Sequence, residues 1–117
     1  MYKLTKIRET KAASILERAY QSLVNKGSFE VHSFERELRT CWNIGYHELY
    51  DVMEDALKDE KWKYVAVYYM ERVNGPSPTC ELKHALAKAY GVHRWNMTED
   101  GRKARMMFWK KSGIKVV

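Results

Sequence analysis

Apolar residues recur at spacings of three and four from Ala12 through Ile15, Leu16, Ala19, Tyr20 and Leu23 to Val24, which marks one face of an amphipathic helix. Asn25-Lys26-Gly27 closes it, with Gly27 supplying the left-handed conformation that other residues resist. Ser28 to His32 then alternates apolar and polar side chains and predicts a short strand. Ser33 follows as the expected N-cap of a second helix, with Glu35 and Glu37 in its first turn and Phe34, Leu38, Cys41 and Trp42 on its apolar face. Asn43-Ile44-Gly45 breaks that helix. A third begins near Tyr46, with Leu49, Tyr50, Met53, Ala56 and Leu57 on one side and Glu48, Asp51, Glu54, Asp55 and Asp59 largely on the other.

From Trp62 to Val73 both alternating sets of positions are largely apolar, and the β-branched and aromatic enrichment favours a central strand over a continuation of the acidic helix. Asn74-Gly75-Pro76-Ser77-Pro78 is a loop. Thr79 is placed to cap a helix whose face is Leu82, Ala85, Leu86, Ala89 and Tyr90, stopped by Gly91. Thr98 caps the last helix, which carries Glu99 and Asp100 in its first turn and Lys110 and Lys111 in its last, with Ala104, Met107 and Phe108 as its core side. Ser112-Gly113 ends it, and Ile114 to Val117 is predicted to add a terminal strand. The expected fold class is therefore α+β: one α-rich domain of about five helices with a small two- or three-stranded sheet.

A chain of 117 residues is one domain's worth of sequence. Its possible halves are residues 1–75 and 76–117, joined by the loop at 74–78. Glu37-Leu38-Arg39 and Glu81-Leu82-Lys83 each open a helix that leads through a turn and a second helix to a β-like end, a faint internal echo of two similar units. With 45% apolar residues the chain has the material to fold, and its opening residues, Met1 to Lys6, lack the apolar core of a signal peptide. No apolar run reaches membrane-spanning length, so a soluble, cytoplasmic protein is expected. Cys41 and Cys80 are too few for a secreted disulfide framework and are expected as reduced thiols in apolar helical patterns.

The net charge of +6 directs attention to an acidic partner, nucleic acid above all. Its distribution is more informative than its sum. Residues 1–27 carry six basic and two acidic side chains, residues 28–60 three and nine, residues 61–75 three and one, and residues 76–117 nine and three. A polyanion site therefore belongs on the C-terminal third.

The order helix, short strand, helix, turn, helix, strand over residues 6–73 is similar to the winged-helix family in order only. The helix in the recognition position, Tyr46 to Glu60, has many carboxylates and a single lysine, and phosphates would repel it. No wing hairpin follows Asn74-Gly75 either, since the next segment reads as helical. The C-terminal unit is the better candidate: a helix-turn-helix-like pair whose second member places Arg102, Arg105 and Trp109 on one stripe, flanked by Lys103 and Lys110. Arg102, Lys103, Arg105 and Lys110 would contact phosphates. Arg94, Trp95 and Trp109 would add stacking or base-edge contacts, with DNA favoured over RNA. The bland alternative is that these cations pair with the acidic helix inside the fold.

Cys80 and His84 stand four apart on one helix, with Cys41, His47 and His93 as candidate completers, but the spacing does not fit the paired-ligand zinc motifs, so no metal or other cofactor is expected. No Gly-rich phosphate loop, nucleophile elbow or His-Glu-x-x-His pair occurs, and catalysis is disfavoured. The second functional expectation is a protein-binding inhibitor or adaptor that uses Glu48, Asp51, Glu54 and Asp55 to dock on a basic groove. A virus-encoded antagonist of a host nucleic-acid enzyme would be of this class.

Overall fold

The computed structural model describes residues 11–73, 80–90 and 99–117. Six helices are present among the described residues: α1 (Lys11–Lys26), α2 (Val31–Trp42), α3 (Tyr46–Ala56), α4 (Lys63–Val73), α5 (Cys80–Tyr90) and α6 (Glu99–Ser112). There is no strand among them, so the expected α+β class with its small sheet is replaced by an all-helical architecture. The winged-helix element order goes with it, since it required strands near residues 28–32 and 62–73.

Each of the three expected strands has a specific physical replacement. The alternation at 28–32 is a helix entry: Glu30 is the N-cap of α2, its carboxylate accepts the His32 N–H at 2.8 Å, and the helix begins at Val31, two positions before the expected Ser33 cap. Phe29, just before the cap, packs on Phe34 in the first turn with ring centres 5.1 Å apart, a hydrophobic staple that reads along the chain as strand alternation. The apolar run at 62–73 is α4, the central helix. It packs against α1, α2, α3 and α5, and six consecutive residues, Val65 to Met70, are buried. A helix buried on every side has no polar face, and its sequence therefore carries no 3.6-residue period. Asp59 starts it by accepting the backbone N–H groups of Lys61 (2.8 Å) and Trp62 (3.0 Å).

The tail at 114–117 has no regular secondary structure and no partner strand among the described residues. Ile114 is buried, the Val117 N–H donates to the Gly27 carbonyl at 2.9 Å, and Arg72 donates to the Val117 carbonyl at 2.9 Å. The tail thus ties the end of α1 to the end of α6. Gly27 has φ +75°, and a β-carbon there would stand 2.1 Å from the Lys115 carbonyl oxygen, so both the turn and the tail crossing need glycine. The expected break between α2 and α3 holds: Asn43 ends α2 in the left-handed conformation (φ 52°), and Gly45 caps α3 with its N–H donated to Glu48, whereas the acidic helix expected over Tyr46 to Glu60 ends at Ala56 and gives way to turns before α4. The expected caps at Thr79 and Thr98 and the stop at Gly91 lie outside the described residues.

The core runs from Leu16 and Leu23 of α1 through Leu38, Leu49 and Met53 to α4, then on to Leu86, Tyr90 and Trp109. One polar pair is built into it: the Tyr69 hydroxyl donates to the buried Glu35 carboxylate at 2.6 Å. Among the described residues no helix is long and apolar enough to cross a membrane.

Candidate nucleic-acid interface

Helix α6 has a core half and a solvent half. Phe108 meets Tyr64 and Tyr90 at 5.5 Å each, Trp109 lies 6.2 Å from Tyr64, and Ala104 packs beside them. At roughly 100° per residue, Arg102, Lys103, Met106, Met107, Lys110 and Lys111 share the opposite half, and all six are exposed. Met107, expected on the core side, is 50% exposed, and Met106 is 66% exposed. Placing Phe108 in the core turns the Met107 direction, about 100° away, toward solvent.

The expected stripe of Arg102, Arg105 and Trp109 is divided by the same rotation. Arg105 and Trp109 lie at the border with α4, where both engage Glu71: Arg105 Nη2 donates at 2.9 Å and the indole N–H at 3.3 Å. The Trp109 ring is buried and serves the core, which leaves no exposed indole for base stacking at this position. The Glu71 side chain is only 6% exposed, and burial raises its pKa above the usual carboxylate value even though Arg105, Trp109 and Arg72 pull it down. Arg72 itself lies over the Tyr68 ring at 4.8 Å. Arg102 remains at the solvent surface with Lys103 and Lys110, whereas Arg94 and Trp95 lie outside the described residues.

The cations of α6 are not clasped by the acidic helix among the described residues. Arg105 pairs with Glu71 of α4, and Lys103 stands 3.7 Å from Glu99 one turn away on α6 itself, an exposed pair of little energetic weight. The acidic residues of α3 serve mixed purposes. Glu48 caps Gly45, Asp51 is half-buried, Glu54 is exposed, and Asp55 is buried with Lys58 at 3.9 Å.

Two grooves flank the solvent half of α6. One, of about 480 Å³, runs between α6 and the tail and includes Lys103, Arg105, Lys110, Met106 and Val116. The other, of about 440 Å³, lies between α4, α5 and α6 and gathers Lys63, Lys88 and Lys111 around Leu57, Tyr90 and Phe108. Among the described residues neither lining contains a carboxylate. Lys63 and Lys88 were not candidates from sequence, because each comes from a different helix and no spacing rule joins them to Lys111. The one local hint is Lys63 itself, a cation in the first turn of α4, where the helix dipole disfavours positive charge.

Among the described residues no three His, Cys, Asp or Glu side chains come together as a metal site. Cys41 is a free, half-buried thiol; the side chains of Cys80 and His47, and residue His93, are outside what the structure describes. No family model matches the chain, and no curated protein or solved structure matches it either.

Proposed function

We propose that this chain is a non-catalytic nucleic-acid-binding protein that engages phosphates through the solvent half of α6. The observation that carries this reading is the composition of that surface: Arg102, Lys103, Lys110 and Lys111 are exposed on one half-helix, and among the described residues the grooves on both sides have no carboxylate in their lining. Arg105 and Trp109 belong to the scaffold that holds α6 in place and are not contact residues on this reading. The protein-binding alternative through Glu48, Asp51, Glu54 and Asp55 has less support, since Glu48 is engaged as a cap and Asp55 is buried.

The test is fluorescence anisotropy of a labelled oligonucleotide titrated at several salt concentrations. Binding should weaken linearly in log–log form, and Arg102→Glu with Lys110→Glu should lower the magnitude of the slope by roughly 1.5 to 2, the share of two phosphate contacts. A double variant that binds with the unchanged slope would remove the assignment.

A further inference from the structure

The groove between α4, α5 and α6 differs from the other grooves around α3. The one bordered by α3 and α5 sets Asp51, Glu54 and Asp55 beside Lys58, His84 and Lys88, and the one at the start of α4 sets Glu17, Asp59 and Glu60 beside Lys58 and Lys61. Each mixes carboxylates with cations, so a phosphate there would meet like charge as well as lysines. In the α4–α5–α6 groove the charged groups among the described residues are lysines alone, Lys63, Lys88 and Lys111, one from each helix; Lys88 also borders the α3–α5 groove, and among the described residues none of the three is in an ion pair. Its floor is apolar and partly aromatic, formed by Leu57 and a half-buried Phe108 over the buried Tyr90. The Lys63 ammonium sits 5.2 Å from the centre of the Tyr64 ring, at the edge of the same aromatic group.

A cationic rim over a floor of rings and aliphatic carbon fits a ligand that is anionic at one end and flat and apolar at the other. A single nucleotide has that chemistry, and the groove's volume of about 440 Å³ is of the size that encloses one. A base paired in a duplex keeps its faces stacked on its neighbours and cannot enter such a site. An unpaired base can, because its face is free to stack on an aromatic ring while its phosphates meet lysines. Lys111 belongs both to this groove and to the solvent half of α6. One strand can therefore run from Lys103 and Lys110 across the helix and into the groove.

Resting on the reading of α6 as a nucleic-acid surface, we propose that the α4–α5–α6 groove seats an unpaired nucleotide of a single strand, phosphates on Lys63, Lys88 and Lys111 and base against the half-buried Phe108. This assigns the site a preference for single-stranded over duplex nucleic acid. It also adds two lysines from outside α6 to the binding surface.

The experiment measures anisotropy of a labelled twelve-nucleotide DNA strand, and of the same strand in duplex form, with the full chain at low salt. Lys63→Glu with Lys88→Glu should weaken single-strand binding at least tenfold, and well beyond the charge-matched control Lys26→Glu with Lys58→Glu, both variants being checked for helix content by circular dichroism. Ala104→Phe, which fills the groove without changing charge, should weaken single-strand binding several-fold at an unchanged salt slope. If that variant does not fold, the lysine pair decides. Wild-type affinity in Lys63→Glu/Lys88→Glu, together with loss in Arg102→Glu/Lys110→Glu, overturns the groove and leaves the α6 reading standing. Equal binding of duplex and single strand, equally reduced by the lysine variant, overturns the seated base. No binding of either form by the wild-type chain overturns the α6 reading itself.

Discussion

Replacing Glu71 by glutamine should change how stability depends on pH far more than it changes stability at neutral pH. The carboxylate is held 94% out of water at the α4–α6 border by one guanidinium and one indole N–H. A hydrogen bond from a charged donor is worth about 1.5–3 kcal/mol, but the Arg105 side chain is 33% exposed and solvent discounts it, and a 3.3 Å indole contact adds only about 0.5 kcal/mol. Against these stands the desolvation of the carboxylate, which the raised pKa shows to be the larger effect. Glutamine keeps the shape and can still accept one of the two bonds. The variant should therefore lie within about 1 kcal/mol of the wild type at pH 7, whereas Glu71→Ala, which leaves Trp109 without an acceptor and opens a void, should lose about 1–3 kcal/mol.

The sign of the pH dependence follows from the direction of the shift. A folded-state pKa above the unfolded one means that the native protein binds this proton more tightly, so the contribution of Glu71 is fully present below its ordinary carboxylate pKa and is lost as pH rises through the raised value. Urea unfolding followed by circular dichroism from pH 4 to pH 8, analysed as wild type minus Glu71→Gln, isolates that contribution. The difference should grow in favour of the wild type as pH falls, with a slope no steeper than about 1.4 kcal/mol per pH unit. A difference that is flat with pH, or that favours the wild type as pH rises, would refute the assignment of burial as the dominant cause.

Tyr69→Phe should cost about 1–3 kcal/mol, read as a lowered urea midpoint, because it strips the 2.6 Å donor from the buried Glu35; near-neutrality of the single change would refute it. Gly27→Ala should lower the melting temperature by roughly 4–8 °C or more, from the φ +75° backbone and the displacement of the tail at Lys115, and Gly113→Ala, with the same φ but open space around it, should cost less. Glu17, whose pKa is lowered chiefly by the hydrogen bond from Lys61 and then by that from Gln21, stabilises the fold above its unfolded pKa and loses that contribution as pH falls through the lower folded value. Wild type minus Glu17→Gln should accordingly shrink on acidification, opposite in sign to the Glu71 difference.

The helices with a polar side were legible in the chain, because α1, α2, α3 and α5 each place core residues three and four apart. The sheet was not there to be found, and the reason it was expected is physical. At α4, residues 65–70 are surrounded on every side, so the sequence shows what a buried strand also shows: continuous β-branched and aromatic residues. At Phe29 and Phe34 the pattern came from a staple across a helix start, and at Ile114 to Val117 from a tail that has a backbone bond to Gly27 but no ladder. The cationic helix was legible as a charge excess, yet the division of its cations was not. That division depends on Glu71, which lies 34 positions before Arg105 and belongs to the helix read as a strand.

Glu71 therefore does more to set the solvent face of α6 than any residue of α6 itself. One buried carboxylate can accept only a few donors, and it takes Arg105 and Trp109, the two members of the expected stripe that face α4. Fixing those two positions fixes the helix rotation, since turning α6 by one residue would carry Phe108 out of its contacts with Tyr64 and Tyr90 and bring Lys103 toward the core. With the rotation fixed, the remaining cations have no place except solvent, with Lys111 carried to the edge shared with Lys63 and Lys88. The basic surface is thus a consequence of core packing, and a change that loosened Glu71 without unfolding the chain should blur the separation between the contact cations and the structural one. Glu71→Ala, unlike Glu71→Gln, should for that reason make Arg105→Glu matter to oligonucleotide affinity. An Arg105→Glu effect of equal size in the wild-type and Glu71→Ala backgrounds would show that the clasp does not set the helix face.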